Sequence, residues 1–200
     1  MLVFTQGWKL LMRRAVQGFT LVEMLVGLGL TVFFMLMTLP SASAYLTDAR
    51  IRAAAQTYYS GAQLARAEAV RRNAEVRLLL TDDPRASQPT ASVNGLGWVM
   101  LAGGGPQGVD WSTLEGTEWV DSKDPQEART TGLRVAANEA VVQFDGQGAA
   151  SVNQIVKFLG PAADTCYPRG PRCLHVVISL GGQVRLCDPG ISNNGDNRKC

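Results

Sequence analysis

The sequence predicts an α+β fold: a long N-terminal α-helix, partly transmembrane, packed on a C-terminal antiparallel β-sheet domain. Three observations predict it. An apolar run from Phe19 to Leu39 holds no Lys, Arg or Asp and a single Glu. An apolar stripe at helical spacing follows. After Asn73 that period stops, and short β-like runs alternate with turn residues. At 200 residues the chain is long enough for one domain and an appendage. A net charge of +2, from 19 basic and 17 acidic residues, excludes a histone-like nucleic-acid binder. Hydrophobic content of 46% against 18% charged residues excludes wholesale disorder.

The apolar run comes first. Its 21 residues span roughly 30 Å as a helix, enough to cross a bilayer. The preceding segment carries Lys9, Arg13 and Arg14 and no acid. Positive charge on that side holds the N-terminus in the cytoplasm and sends the rest outward. Ala42-Ser43-Ala44 fits the small-x-small pattern of a signal-peptide cleavage site, which would release a protein beginning at Tyr45. The run is longer, however, than the roughly 7–15 apolar residues of a signal peptide. Glu23 is the other anomaly. It stands in the outer third of the helix; an Asp at the centre costs roughly 2.5–3.5 kcal/mol or more on insertion scales, and an acid inside such a helix is a functional candidate by default.

The hexapeptide Gly18-Phe19-Thr20-Leu21-Val22-Glu23 resembles the processing site of type IV prepilins and type II secretion pseudopilins. The resemblance implies that residues 1–18 are a leader, that a prepilin peptidase cuts after Gly18, and that it methylates the new terminus, Phe19. Glu23 then becomes the fifth mature residue (23 − 18) and Pro40 the twenty-second (40 − 18), where many such pilins also have Pro. The Glu23 carboxylate would pair with the Phe19 amine of its own or a neighbouring subunit. Such a pair in a low-dielectric bundle is geometrically demanding, so it sets register more than it adds stability. Gly27 and Gly29 admit two readings: close-packing positions of a membrane helix, or points where the helix loosens on assembly.

The helix continues over 40–73. Ile51, Ala55, Tyr58, Ala62, Ala65 and Ala69 recur at i+3/i+4 spacing, and Arg50, Arg52, Arg66, Arg71 and Arg72 supply the polar side. Leu64–Asn73 followed by Val76-Arg77-Leu78 resembles the helix end and first strand of GspH/FimT-type minor pilins.

Residues 74–200 form a β-rich domain on the periplasmic side. The expected strands are Glu75–Thr81, Gly97–Ala102, Thr117–Asp121, Leu133–Val135, Ala140–Phe144, Gln154–Phe158, Leu174–Ser179 and Gln183–Cys187. Asp82-Asp83-Pro84, Gly103-Gly104-Gly105-Pro106, Asp145-Gly146-Gln147-Gly148 and Gly181-Gly182 break them. Close spacing without intervening helices means an antiparallel sheet. Asp82–Gly95 and Gly103–Glu115 are expected to be mobile loops. The glycine run is no phosphate loop, lacking the following Lys-Ser/Thr and helix.

Cys166, Cys173, Cys187 and Cys200 are separated by six, thirteen and twelve residues. No C-x-x-C pair occurs, so zinc is not expected. An oxidising compartment favours disulfides. Cys166–Cys173 with Cys187–Cys200 closes two short polar loops; Cys166–Cys187 with Cys173–Cys200, and the nested pairing, stay open. His175 lies in an apolar strand, and neither G-x-S-x-G nor H-E-x-x-H occurs. The chain is read as no enzyme, with no cofactor or metal, but as the substrate of one.

From Lys157 onward six basic residues face three acids, whereas residues 41–200 balance at 16 against 16. Some FimT-type minor pilins bind DNA through a C-terminal Gly-Arg-x-Arg-like segment. Gly182-Gln183-Val184-Arg185 corresponds to it here, and only Arg185 carries over. Arg198 and Lys199 join it if a Cys187–Cys200 bridge folds the tail back. The resemblance thus implies a minor pilin of a type IV pilus, with other pilins, the inner membrane and weakly bound DNA as partners. A minor pseudopilin of the type II secretion pseudopilus and a released periplasmic binding protein are the alternatives.

Overall fold

The computed structural model describes residues 18–103, 114, 116–124, 132–161 and 173–200, without the side chains of 36–44. The chain divides into two units, Met1–Ser41 and Ala42–Cys200. One helix, α1 (Leu21–Arg72, 52 residues), belongs to both.

In the first unit Thr20 caps the helix. Its carbonyl accepts from the Met24 N–H at 3.2 Å, and its hydroxyl oxygen accepts from the Glu23 N–H at 3.2 Å. A Thr at this position satisfies one of the donors that every helix start leaves unpaired. From Gly18 to Met35 every described side chain is exposed. Among the described residues, no helix is long and apolar enough to cross a membrane. The described side chains of this stretch stop at Met35, short of the expected span's end at Leu39.

In the second unit the stripe Ile51, Ala55, Tyr58, Ala62, Ala65 and Ala69 is at most 1% exposed. Arg50, Arg52, Arg66 and Arg71 lie on the exposed side. Small residues in the stripe let the strands approach the helix closely. At Gly61 an added Cβ would stand 2.8 Å from the Trp98 indole. The helix ends in a Schellman motif. Ala74 N–H donates to Ala69 C=O and Asn73 N–H to Val70 C=O, with Asn73 at φ 48°. Asn is the residue after Gly that best tolerates this left-handed position.

Eight strands follow: β1 (Val76–Thr81), β2 (Gly97–Gly103), β3 (Thr117–Lys123), β4 (Arg134–Ala137), β5 (Val141–Phe144), β6 (Gln154–Leu159), β7 (Leu174–Ile178) and β8 (Val184–Cys187). Each coincides with an expected run to within two residues at either end. They form two antiparallel sheets rather than one, in the orders β3-β2-β1-β5 and β4-β6-β7-β8. The split follows from β4 and β5. Only three residues separate them, yet β5 pairs with β1 whereas β6 returns to β4.

The loop Asp82–Gly95 is tied down, contrary to expectation. Thr81 bridges Ala91, Ser92 N–H donates to Leu80 C=O at 2.8 Å, and Ala137 N–H donates to Val93 C=O at 2.8 Å. Backbone groups so paired satisfy the loop locally. The expected loop Gly103–Glu115 falls almost wholly outside the described residues.

The inward faces of both sheets and the helix stripe share one core. Leu78, Met100 and Phe144 come from the first sheet, Val156, Phe158 and Ile178 from the second. Each such side chain contributes roughly 1.5–3 kcal/mol on burial. The polar exception is Tyr58. Its hydroxyl donates to Gln154 Oε1 at 2.7 Å, and Gln154 Nε2 donates to Glu139 C=O at 2.7 Å. Burial pushes the Tyr58 phenol well above its ordinary value, the Gln154 bond opposing.

Candidate functional site

The processing residues lie at the start of the described chain. Gly18, Phe19 and Thr20 precede α1 and form no regular structure. Phe19 is 75% exposed, and Glu23 stands exposed in the first helical turn. An added Cβ on Gly18 meets nothing within 4 Å, and the same holds at Gly27 and Gly29. Among the described residues, glycine at these three sites answers to no packing demand.

The far end of α1 carries an ion network that periodicity alone did not reveal. Arg71 and Arg72 both donate to Glu68, at 2.6 and 2.8 Å, and Arg72 also bonds Glu118 on β3. The Arg71 guanidinium first, then Arg72, hold the Glu68 carboxyl down to about 2. Arg72 likewise lowers Glu118. Nearby, Arg66 Nε donates to Gly148 C=O at 3.1 Å. Gly148 and Gly182 have φ of +79° and +71°, and a Cβ on Gly182 would lie 1.8 Å from that same carbonyl oxygen. The β5–β6 and β7–β8 turns therefore meet beside the helix, which is why the sequence uses glycine at both.

At the C-terminus Cys187 and Cys200 are disulfide-bonded with their Cα atoms 5.0 Å apart. Cys173 is also disulfide-bonded; Cys166 lies outside the described residues. The tail folds back along β8: Asp188 bridges Lys199, and Asp188 N–H donates to Arg198 C=O at 2.6 Å. A cleft of about 320 Å³ separates this loop from α1, lined by Arg52, Gln56, Leu186, Asp188, Ile191 and Arg198.

The three cations named for DNA contact are unequal. Arg198 is held by Asp196, with Nη2 on Oδ2 at 2.7 Å and Nε on Oδ1 at 3.0 Å. Lys199 Nζ donates to Asn194 Oδ1 within the loop. Arg185 is exposed on β8 and, among the described residues, makes no ion pair. His175 is partly buried on β7, and its Nε2 has no hydrogen-bond partner among the described residues. Burial, then the Lys157 ammonium, push its pKa below the ordinary value, with Asp188 opposing. No cluster able to hold a metal occurs among the described residues.

No curated protein matches the chain. Among solved structures it resembles the type IV minor pilin FimU of Pseudomonas aeruginosa, at 16% identity over 68% of this chain and 87% of that one, with a TM-score of 0.46. It also resembles the minor pseudopilin EpsH of the Vibrio cholerae type 2 secretion system, at 14% identity over 71% and 99% of the two chains, with a TM-score of 0.48. The sequence model of the family described as "Type II transport protein GspH" matches residues 54–182. That match takes in the buried stripe of α1 from Ala55 onward and the strands from β1 to β7, more than half of the chain, and the protein belongs to the GspH family of minor pilins and pseudopilins.

Proposed function

We propose that this chain is a minor pilin of a type IV pilus, cleaved after Gly18 by a prepilin peptidase, methylated on Phe19 and assembled with other pilins. One observation carries the reading. Directly behind the Gly18–Phe19 bond, α1 exposes apolar side chains on every side as far as Met35. A helix apolar all round requires lipid or other helices as its surroundings. The inner membrane supplies the first before assembly and neighbouring pilins supply the second afterwards, with the remaining domain in the periplasm.

Glu23 then pairs with the Phe19 amine of its own or a neighbouring subunit. The chain carries no catalysis of its own in this reading; it is the substrate of the peptidase. Contact with nucleic acid is the outermost part of the reading, and Arg185 is its best-placed residue. The second reading, a minor pseudopilin of a type II secretion system, is favoured by the description of the matching family.

Mass spectrometry of the mature N-terminus tests the proposal. Methylated Phe19 is the expected terminus. A terminus at Tyr45 would mean a released periplasmic protein, and an intact leader would remove the prepilin reading altogether. Deleting the gene separates the two machines: loss of surface pili points to the pilus, and loss of protein secretion with pili intact points to the pseudopilus.

A further inference from the structure

Asn-Gly occurs twice in the chain, at Asn94–Gly95 and at Asn194–Gly195. The dipeptide has a chemistry of its own. Because glycine has no side chain, the asparagine amide carbon can reach the next backbone nitrogen. A five-membered cyclic imide then forms and ammonia leaves. How freely those two atoms can meet decides whether the reaction runs.

The two copies differ in that respect. Gly95 is buried, and an added Cβ there would stand 2.4 Å from the Thr81 backbone nitrogen. Its N–H is held by the Ser92 C=O at 3.0 Å, within the loop that Leu80 and Ala137 tie down. Asp145–Gly146, the acidic counterpart, is closed likewise. A Cβ on Gly146 would lie 2.6 Å from Asn73 Oδ1, and Asp145 Oδ1 accepts from the N–H groups of Gln147 and Ala149. Asn194 and Gly195, by contrast, are both exposed. Among the described residues, a Cβ on Gly195 would meet only Asn193 Oδ1, at 3.5 Å.

The surroundings of Asn194 also favour the reaction. The Gly195 N–H donates to Asn193 Oδ1 at 3.0 Å. That bond runs along the N–H, in the peptide plane, so both faces of the nitrogen stay open for attack. Lys199 Nζ donates to Asn194 Oδ1 and, at 3.4 Å, to the Ser192 C=O. Attack on the amide carbon places negative charge on that same Oδ1, where the ammonium already stands. The Cys187–Cys200 bridge holds the two ends of the loop together around this arrangement.

We infer that Asn194–Gly195 is a self-modification site, where the chain deamidates with water as the only co-reactant. The Gly195 nitrogen gives up its proton and bonds Asn194 Cγ, and Nδ2 leaves as ammonia with that proton. Water then opens the imide. Addition at Cγ gives aspartate; addition at the main-chain carbonyl carbon gives isoaspartate, whose backbone runs through Cγ. Nothing is oxidised or reduced. Either product sets a carboxylate beside Lys199 where a neutral amide stood. Isoaspartate also adds a methylene to the ring that the disulfide closes. The inference holds whichever filament the chain enters.

The test is incubation of the purified full chain in neutral detergent, at neutral pH and physiological temperature. Unreduced peptide mapping by mass spectrometry follows it, with isoaspartyl methyltransferase as the probe for isoaspartate. Aspartate and isoaspartate should accumulate at position 194 while Asn94 stays intact. Gly195→Ala should stop the conversion over the same time. Gly195 lies outside the left-handed region, so the loop accepts Ala there. Lys199→Gln should slow the conversion about fivefold, the scale of an exposed charge contact, and Lys199→Arg should keep most of the rate. The Cys187–Cys200 peptide in each map shows that the loop is still closed. Conversion of Asn94 as fast as Asn194 overturns the proposal, as does asparagine persisting at position 194. An unchanged rate in Lys199→Gln, or a product in which Lys199 Nζ is bonded to Asn194, overturns it too.

Discussion

The two ends of α1 use the same backbone for opposite purposes. Between Leu21 and Met35 the helix leaves Leu25, Leu28, Phe33 and Phe34 about half to two-thirds exposed. Between Ile51 and Ala69 it hides a single stripe, mostly alanine, and shows arginines outside. The first stretch is complete only in company; the second is complete within its own domain. Substitutions at one end should therefore change maturation and assembly without altering thermal stability, and at the other end the reverse.

The most drastic break of this contrast is expected at Gly18. Gly18→Val should abolish leader removal and leave a full-length precursor, visible as an upward shift on an immunoblot. The melting temperature should not move, because a side chain there meets nothing. Mature-sized protein in that variant would sink the cleavage assignment.

Gly182→Ala should have the largest purely structural cost. It combines φ of +71° with a Cβ 1.8 Å from the Gly148 carbonyl oxygen. A loss of about 3 kcal/mol or more is expected in denaturant unfolding. Gly181→Ala, with nothing within 4 Å, should lose less than about 1 kcal/mol and serves as the control.

Tyr58→Phe strands Gln154 Oε1 in the core and should cost about 1–3 kcal/mol. Tyr58→Phe combined with Gln154→Leu should recover part of that. The wild-type phenol has a raised pKa in the folded state, so it supplies stability that falls as pH rises past the ordinary tyrosine value near 10. The melting temperature of wild type should drop more steeply above that pH than that of the Phe variant.

The smallest effect is expected at Glu68. Its folded pKa of about 2 lies below the ordinary 4.5, so its contribution is present above 4.5 and fades as pH falls toward 2. Glu68→Gln should flatten the acid limb of the melting curve slightly, and added salt should shrink the difference, since the outer members of the network, Arg71 and Glu118, are exposed.

Helix and strands were legible because period is a local property. The spacing of Ile51, Ala55, Tyr58, Ala62, Ala65 and Ala69 marks one face wherever the rest of the chain goes. Asn73 and the glycine pairs mark the ends for equally local reasons. What the pattern did not carry is pairing. Val141–Phe144 reads as a strand without saying that it joins β1 instead of β4. Nor does Asp82–Gly95 announce that Leu80 and Ala137 will hold it. In the candidate site, Gly18, Phe19 and Glu23 were readable as a contiguous motif. The pairing of Arg72 with Glu118 was missed, because only the fold brings together residues 46 apart in sequence.

The Tyr58–Gln154 hydrogen bond joins residues 96 apart, and the Cys187–Cys200 bridge closes later still. A chain emerging from its N-terminus thus has its longest helix early and the surfaces that cover that helix late. The alanine stripe stays uncovered on one side until β6 and β7 have emerged, so the core cannot close during most of synthesis. Contacts this distant make for slow folding and a long-lived open state. The domain has the timetable of a protein that folds as a whole, after its last strands are made.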